Sequence, residues 1–149
     1  MSRPMCGRFT RMMPWPELVR LYRLTETREK QRNDAPAYNV APTDPVPFVT
    51  AGENGSQRLR EGRWWLVPWW AKEMPKQAMF NARIETVDTS GAFKDAFAST
   101  RCLIPADGFF EWTKSPEDGG RELQFRRVSR AVNSVKNQGA ECVEPVKSL

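Results

Sequence analysis

The sequence predicts an α+β fold, mostly β, with a mixed or antiparallel sheet and a few short helices. Three observations carry this: short runs rich in β-branched and aromatic residues, turn-forming Gly, Pro, Asn and Asp between them, and only two stretches whose apolar residues recur at helical spacing. At 149 residues the chain has the length of one ordinary domain, expected to span 1–149, and is long enough to bury a core.

Taken in order, Pro14-Trp15-Pro16 opens Glu17-Leu18-Val19-Arg20-Leu21-Tyr22, where residues 18, 21 and 22 share one helical face and Pro16 suits the first turn. Thr25 to Asp34 is charged and polar and stops before Ala35-Pro36, so it reads as a solvated stretch or linker. Val46 to Thr50 and Leu59 to Trp65 flank the turn-rich Ala51-Gly52-Glu53-Asn54-Gly55-Ser56, which predicts a hairpin. Thr89-Ser90 offers an N-cap for a helix carrying Phe93 and Phe97, four residues apart. Cys102-Leu103-Ile104 with Ala106-Asp107-Gly108 reads as strand and turn, and Phe109-Phe110-Glu111-Trp112 as another strand. Lys114 to Gly120 is a polar loop, after which Glu122 to Phe125 is placed to return as the paired strand. No internal repeat or low-complexity tract interrupts the chain.

Composition narrows the chemistry. The 23 Lys and Arg against 18 Asp and Glu give a net charge of +5 and a pI near 9.4, which favours an anionic partner without identifying it. No window approaches the roughly 18 to 20 apolar residues of a membrane span, and Met1 to Cys6 lack the apolar stretch of a secretory signal, so a soluble cytoplasmic protein is expected. Three widely spaced cysteines, Cys6, Cys102 and Cys142, with no C-x-x-C suggest neither a disulfide framework nor a thiolate metal site. The absence of histidine excludes Ser-His-Asp and Cys-His nucleophile activation together with all histidine metal sites. Acid or base chemistry therefore falls to carboxylates, amines, thiols or tyrosine, with no metal and no cofactor expected. Five of the six tryptophans crowd into two places: Trp64, Trp65, Trp69 and Trp70 around Pro68, and Trp112 after Glu111. Aromatics beside arginines stack on unpaired bases, although filling a β-rich core is an equal reading from composition alone.

Five segments, in order and approximate spacing, carry a resemblance: Met5-Cys6-Gly7-Arg8-Phe9; Tyr38-Asn39-Val40-Ala41-Pro42-Thr43; Arg63-Trp64-Trp65-Leu66-Val67-Pro68-Trp69-Trp70-Ala71; Asn81-Ala82-Arg83-Ile84-Glu85-Thr86; and Arg101 to Trp112. Together they resemble the SRAP (SOS-response-associated peptidase) family, proteins that trap abasic sites in single-stranded DNA on an N-terminal cysteine. The likeness covers roughly residues 5 to 125 and resumes over 128 to 145. Family members carry further core strands and a His-Asp-Arg-Met-Pro type motif between those stretches, whereas Phe125 here is followed almost at once by Val128. The resemblance thus implies a partly open barrel or sheet of SRAP type, left incomplete and without the family's active-site histidine. Trp65 also departs from the glycine common at that place, and Met1 to Pro4 extend ahead of Met5.

By the same resemblance, Cys6 would be the trapping nucleophile, Glu111 the general acid or base with a pKa raised by burial, and Asn81 a hydrogen-bond partner of the reacting sugar or amine. Arg8 and Arg83 would grip flanking phosphates; Pro42, Trp70 and Trp112 would wedge against or stack on neighbouring bases. The ordinary alternatives are a hairpin carboxylate for Glu111, a turn cap for Asn81, salt bridges for the arginines and core packing for Pro42, Trp70 and Trp112. Core packing is the preferred reading for Trp64 and Trp65.

The chemistry needs a terminal cysteine, because amine and thiol on adjacent carbons close a thiazolidine on an aldehyde while an internal cysteine offers only an amide nitrogen. Start at Met5, or cleavage of the extension, would expose that amine. Any peptidase activity is expected at most as self-cleavage that exposes Cys6. Two other readings stand beside the trap: a non-catalytic binder of single-stranded DNA, and an inert remnant of an internal deletion.

Overall fold

The computed structural model describes residues 6–24, 34–112 and 128–146. It is α+β with antiparallel sheets and two short α-helices, as the sequence predicts, and its described strands do not close into a barrel. The described residues fall into two compact units: 6–12, 35–41, 106–112 and 128–146 form one, and 13–24, 34 and 42–105 the other.

The first unit holds a three-stranded sheet in the order β2-β1-β5, with β1 at Arg8–Arg11, β2 at Ala37–Val40 and β5 at Gly108–Phe110. β1 is central and antiparallel to both neighbours, pairing Phe9 with Val40 on one side and Arg8 with Phe110 on the other. A register shift between Phe9 and Arg11 marks a bulge against β2. Phe9, Val40, Ala41, Val132 and Cys142 are its buried apolar positions, and Thr10 and Asn39 its buried polar ones. The C-terminal stretch adds two 3-10 turns, Arg130–Asn133 and Ala140–Cys142, and a bridge from Val128 to Pro145.

The second unit contains the expected hairpin as β3 (Pro45–Ala51) and β4 (Gln57–Arg63), in register from Pro45 opposite Arg63 to Ala51 opposite Gln57. Its turn is closed by Asn54 and Gly55, both left-handed at φ 56° and 76°, the conformation that Asn and Gly tolerate best. Prolines at 45 and 47 do not weaken this ladder. Val49 turns its N–H away from β4 to Leu103 at 2.8 Å, and alternation gives positions 45 and 47 that same outward side. The prolines therefore remove donors only from the far edge, where pairing stops at the single Val49–Leu103 bridge.

Gly62 is packed closely: a Cβ there would stand 2.8 Å from Phe48 Cε1. Gly62→Val is expected to destabilise the protein by about 1–2 kcal/mol, since displacing the Phe48 ring outweighs the better strand propensity of valine, whose whole scale spans ~1 kcal/mol. A urea midpoint equal to or above that of the parent chain would contradict this packing.

Four expectations shift in extent. Helix α1 spans Trp15–Tyr22 with Pro16 in its first turn, and it ends on Arg23 in the left-handed conformation at φ 48°. It buries Leu18, while Leu21 is 54% exposed, so the apolar face is narrower than residues 18, 21 and 22 imply. Helix α2 begins only at Lys94 and runs to Ser99; the Thr89 hydroxyl bonds back to Thr86 O instead of capping forward, and turns occupy 84–89. Of Cys102-Leu103-Ile104 only Leu103 pairs, and β5 stops at Phe110. The stretch from 25 to 33, the 114–120 loop and the 122–125 strand lie outside the described residues. No described helix is long and apolar enough to cross a membrane.

Candidate functional site

Cys6 lies just ahead of β1, half-buried, and its thiol donates to the Arg8 carbonyl at 3.0 Å. Because β1 and β5 are antiparallel with Arg8 opposite Phe110, the chain entering from Cys6 and the chain leaving toward Glu111 and Trp112 occupy the same end of the sheet. Burial pushes the Cys6 thiol above its ordinary pKa; hydrogen bonds open to the thiolate at the Arg8 backbone offset part of this, the Glu111 carboxylate adds to the rise, and the Phe110 backbone opposes it. The protonated thiol is thus the resting form near neutral pH.

Glu111 is exposed, whereas the acid or base role anticipates a buried carboxylate. Its charge nonetheless acts on Cys6, and a negative neighbour disfavours a thiolate. Glu111→Gln is expected to move the pH profile of Cys6 alkylation to lower pH, by less than full exposure of the thiol would, because burial is the larger cause. An unmoved profile, or one moved upward, would show that the two groups do not interact.

Arg8 is engaged within the protein. Its Nη1 donates to Asn39 Oδ1 at 2.9 Å and to the Val132 carbonyl at 2.8 Å. Asn39 is 0% exposed, and its amide nitrogen faces three carbonyls: Asn137 at 2.8 Å, Ser134 at 3.0 Å and Val132 at 3.3 Å. Two hydrogens serve three acceptors, so the longest contact is a shared one. Trp112, 43% exposed, donates its indole N–H to Asn133 Oδ1 at 2.8 Å.

Four other expected site residues belong to the second unit. Pro42 is half-buried in the turn before β3, and the next residue, Thr43, is left-handed at φ 78° and bonds through its N–H to Trp64 O. Trp70 is 54% exposed with its indole N–H on Gly91 O at 3.3 Å; Trp69 is 81% exposed and donates to Asp95 Oδ2 at 2.7 Å. Asn81 is half-buried and Arg83 exposed, its carbonyl starting the turn that Thr86 closes. Trp64 packs edge-on against Phe80, with ring centroids 5.7 Å apart.

The structure thus brings Cys6, Arg8, Glu111 and Trp112 to one sheet end, and places Pro42, Trp70, Asn81 and Arg83 in the other unit. Asn39, Asn133 and the exposure of Trp69 were not singled out from the sequence. Asn39 sits within a recognisable segment, but nothing local marks Asn133. Among the described residues, no group of three or more Cys, Asp and Glu side chains is placed to hold a metal ion.

Such a chain is a small α+β protein with a cysteine and a carboxylate at one end of a three-stranded sheet and tryptophans open to solvent. It belongs to the SRAP family, SOS response associated peptidase, whose model matches residues 5–125. It is 37% identical over 129 residues to the abasic site processing protein YoaM of Bacillus subtilis strain 168, covering 86% of this chain and 56% of that protein. To the abasic site processing protein YoqW of the same strain it is 35% identical over 111 residues, 74% of this chain and 49% of that one. To the abasic site processing protein HMCES of Pongo abelii it is 30% identical over 141 residues, 81% and 40%. The chain spans about half the length of the curated relatives it matches.

Proposed function

We propose that this chain traps abasic sites in single-stranded DNA as a covalent thiazolidine formed by the amine and thiol of Cys6. The observation that carries the reading is Cys6 held at the end of the β1–β5 pair beside the Glu111 charge, in a family whose relatives are named for abasic site processing.

The steps balance. The neutral α-amine adds to the ring-opened aldehyde, the carbinolamine loses water to give an imine, and the sulfur adds to the C=N carbon while nitrogen takes up the thiol proton. Aldehyde and aminothiol become thiazolidine and one water, with no redox change. Closure is intramolecular and so has a high effective concentration. Glu111 is the proton carrier for dehydration and for ring closure by the thiol. Arg83 would contact a flanking phosphate, and Arg8 would do so through the guanidinium nitrogens other than Nη1. Asn81 would hydrogen-bond the sugar, and Pro42, Trp70 and Trp112 would meet the neighbouring bases.

The test is a denaturing gel with single-stranded DNA carrying one abasic site, using the chain prepared to begin at Cys6. A heat-resistant band is expected. A salt-sensitive shift alone would replace this reading with that of a non-covalent binder, and neither signal would leave an inert protein.

A further inference from the structure

The C-terminal segment 128–146 lies outside the stretch that the family model matches, yet two adjacent residues of it hold both arms of the Cys6 corner. The Val132 carbonyl accepts from Arg8, two residues from Cys6, and Asn133 Oδ1 accepts from Trp112, the residue after Glu111. We propose that Asn133 is a positioning residue of this site, fixing the Trp112 indole and, through it, the place of Glu111 relative to Cys6.

The segment is built to present Asn133. Ser129 Oγ accepts from the Ala131 N–H at 3.1 Å and caps the 3-10 turn, and Asn137 Nδ2 returns to Ala131 O at 2.9 Å. Ser134 closes the turn through its N–H on Ala131 O, while Val132 is buried and Asn39 holds the carbonyls of 132, 134 and 137 from beneath. Asn133 is itself exposed, so water could satisfy a released indole N–H. The bond therefore contributes mainly orientation: it holds a half-exposed aromatic ring in one plane at the sheet end from which Glu111 projects. Trp112, rather than Glu111 directly, is what the C-terminal segment grips.

The proposal can be read without DNA. In the full chain with 15N-labelled tryptophan, the Trp112 indole resonance is assigned by its loss in Trp112→Phe. Asn133→Leu should move that resonance and speed its solvent exchange roughly 2- to 10-fold, the range expected for loss of one ordinary hydrogen bond. Asn133→Asp keeps an acceptor and should restore the protected signal. The Leu variant should also move the Cys6 alkylation profile to lower pH as the Glu111 charge loses its fixed distance. Where cross-linking is the readout, the proposal rests on the trapping role, and Asn133→Leu should raise the DNA concentration for half-maximal reaction more than it lowers the saturated rate.

An unchanged indole signal in Asn133→Leu overturns the proposal, as does a released indole with unaltered Cys6 chemistry. Failure of the trapping role alone looks different: no cross-link in any variant, while the indole and alkylation signals still respond.

Discussion

Cys6→Ala is expected to abolish the heat-resistant band with abasic single-stranded DNA while leaving any salt-sensitive shift intact. The thiol is the only group able to close the five-membered ring, and without it the amine forms at most a Schiff base, which hydrolyses back to its components. Blocking the amine should have the same effect on the band. A chain that keeps residues 1 to 5 presents Cys6 nitrogen as an amide, which is not nucleophilic, and should give none. With the amine free, its pKa of about 7.7 to 8.0 leaves roughly a tenth to a sixth neutral at pH 7, so the rate should climb between pH 6 and 8. A band that persists in Cys6→Ala, resistant to heat and to salt, would move the chemistry to another residue.

The second large effect concerns stability. Asn39→Leu should cost about 3 kcal/mol, equivalent to roughly 10 °C in Tm for a chain of this size. The substitution deprives the half-buried Arg8 guanidinium of an acceptor and takes the donor from three carbonyls of the C-terminal segment. Bonds to a charged group contribute about 1.5–3 kcal/mol, and each unsatisfied buried acceptor costs about 1–3 kcal/mol. Val132 O keeps Arg8 and exposed Ser134 can recover water, so the penalties do not all add. Leucine's extra apolar burial offsets some of the rest. Urea unfolding measures the difference, and a loss under about 0.5 kcal/mol would show that Asn39 does not hold the segment.

These two residues also show where sequence reasoning ends. The hairpin of β3 and β4 was legible because its signals are local: alternating β-formers on either side of Asn54-Gly55, with prolines that turn out to lie on the unpaired side. Helix α1 was legible for the same reason, through Pro16 and Leu18. Helix α2 begins later than Thr89-Ser90 implies: the Thr89 hydroxyl turns back to Thr86, and the chain makes one turn, with Ser90 O accepting from the N–H groups of Phe93 and Lys94, before the helix starts at Lys94. β1 and β2 gave weaker signals, since each has four residues and owes its form to a partner far along the chain.

Sequence alone established the α+β class, the exclusion of histidine chemistry, the family likeness and the candidate nucleophile, since residue identity and local order are sufficient for each. Tertiary structure decided which candidates meet. Cys6 and Glu111 are 105 positions apart and come together only because β5 adds to β1; Arg8 and Val132 are separated by 124 residues. Pairings of that range depend on strand register and on the fate of buried polar groups, and no local pattern encodes either. That is why Arg8, expected to face DNA, gives one guanidinium nitrogen to Asn39 and Val132, and why Asn133 becomes visible only once the chain has folded.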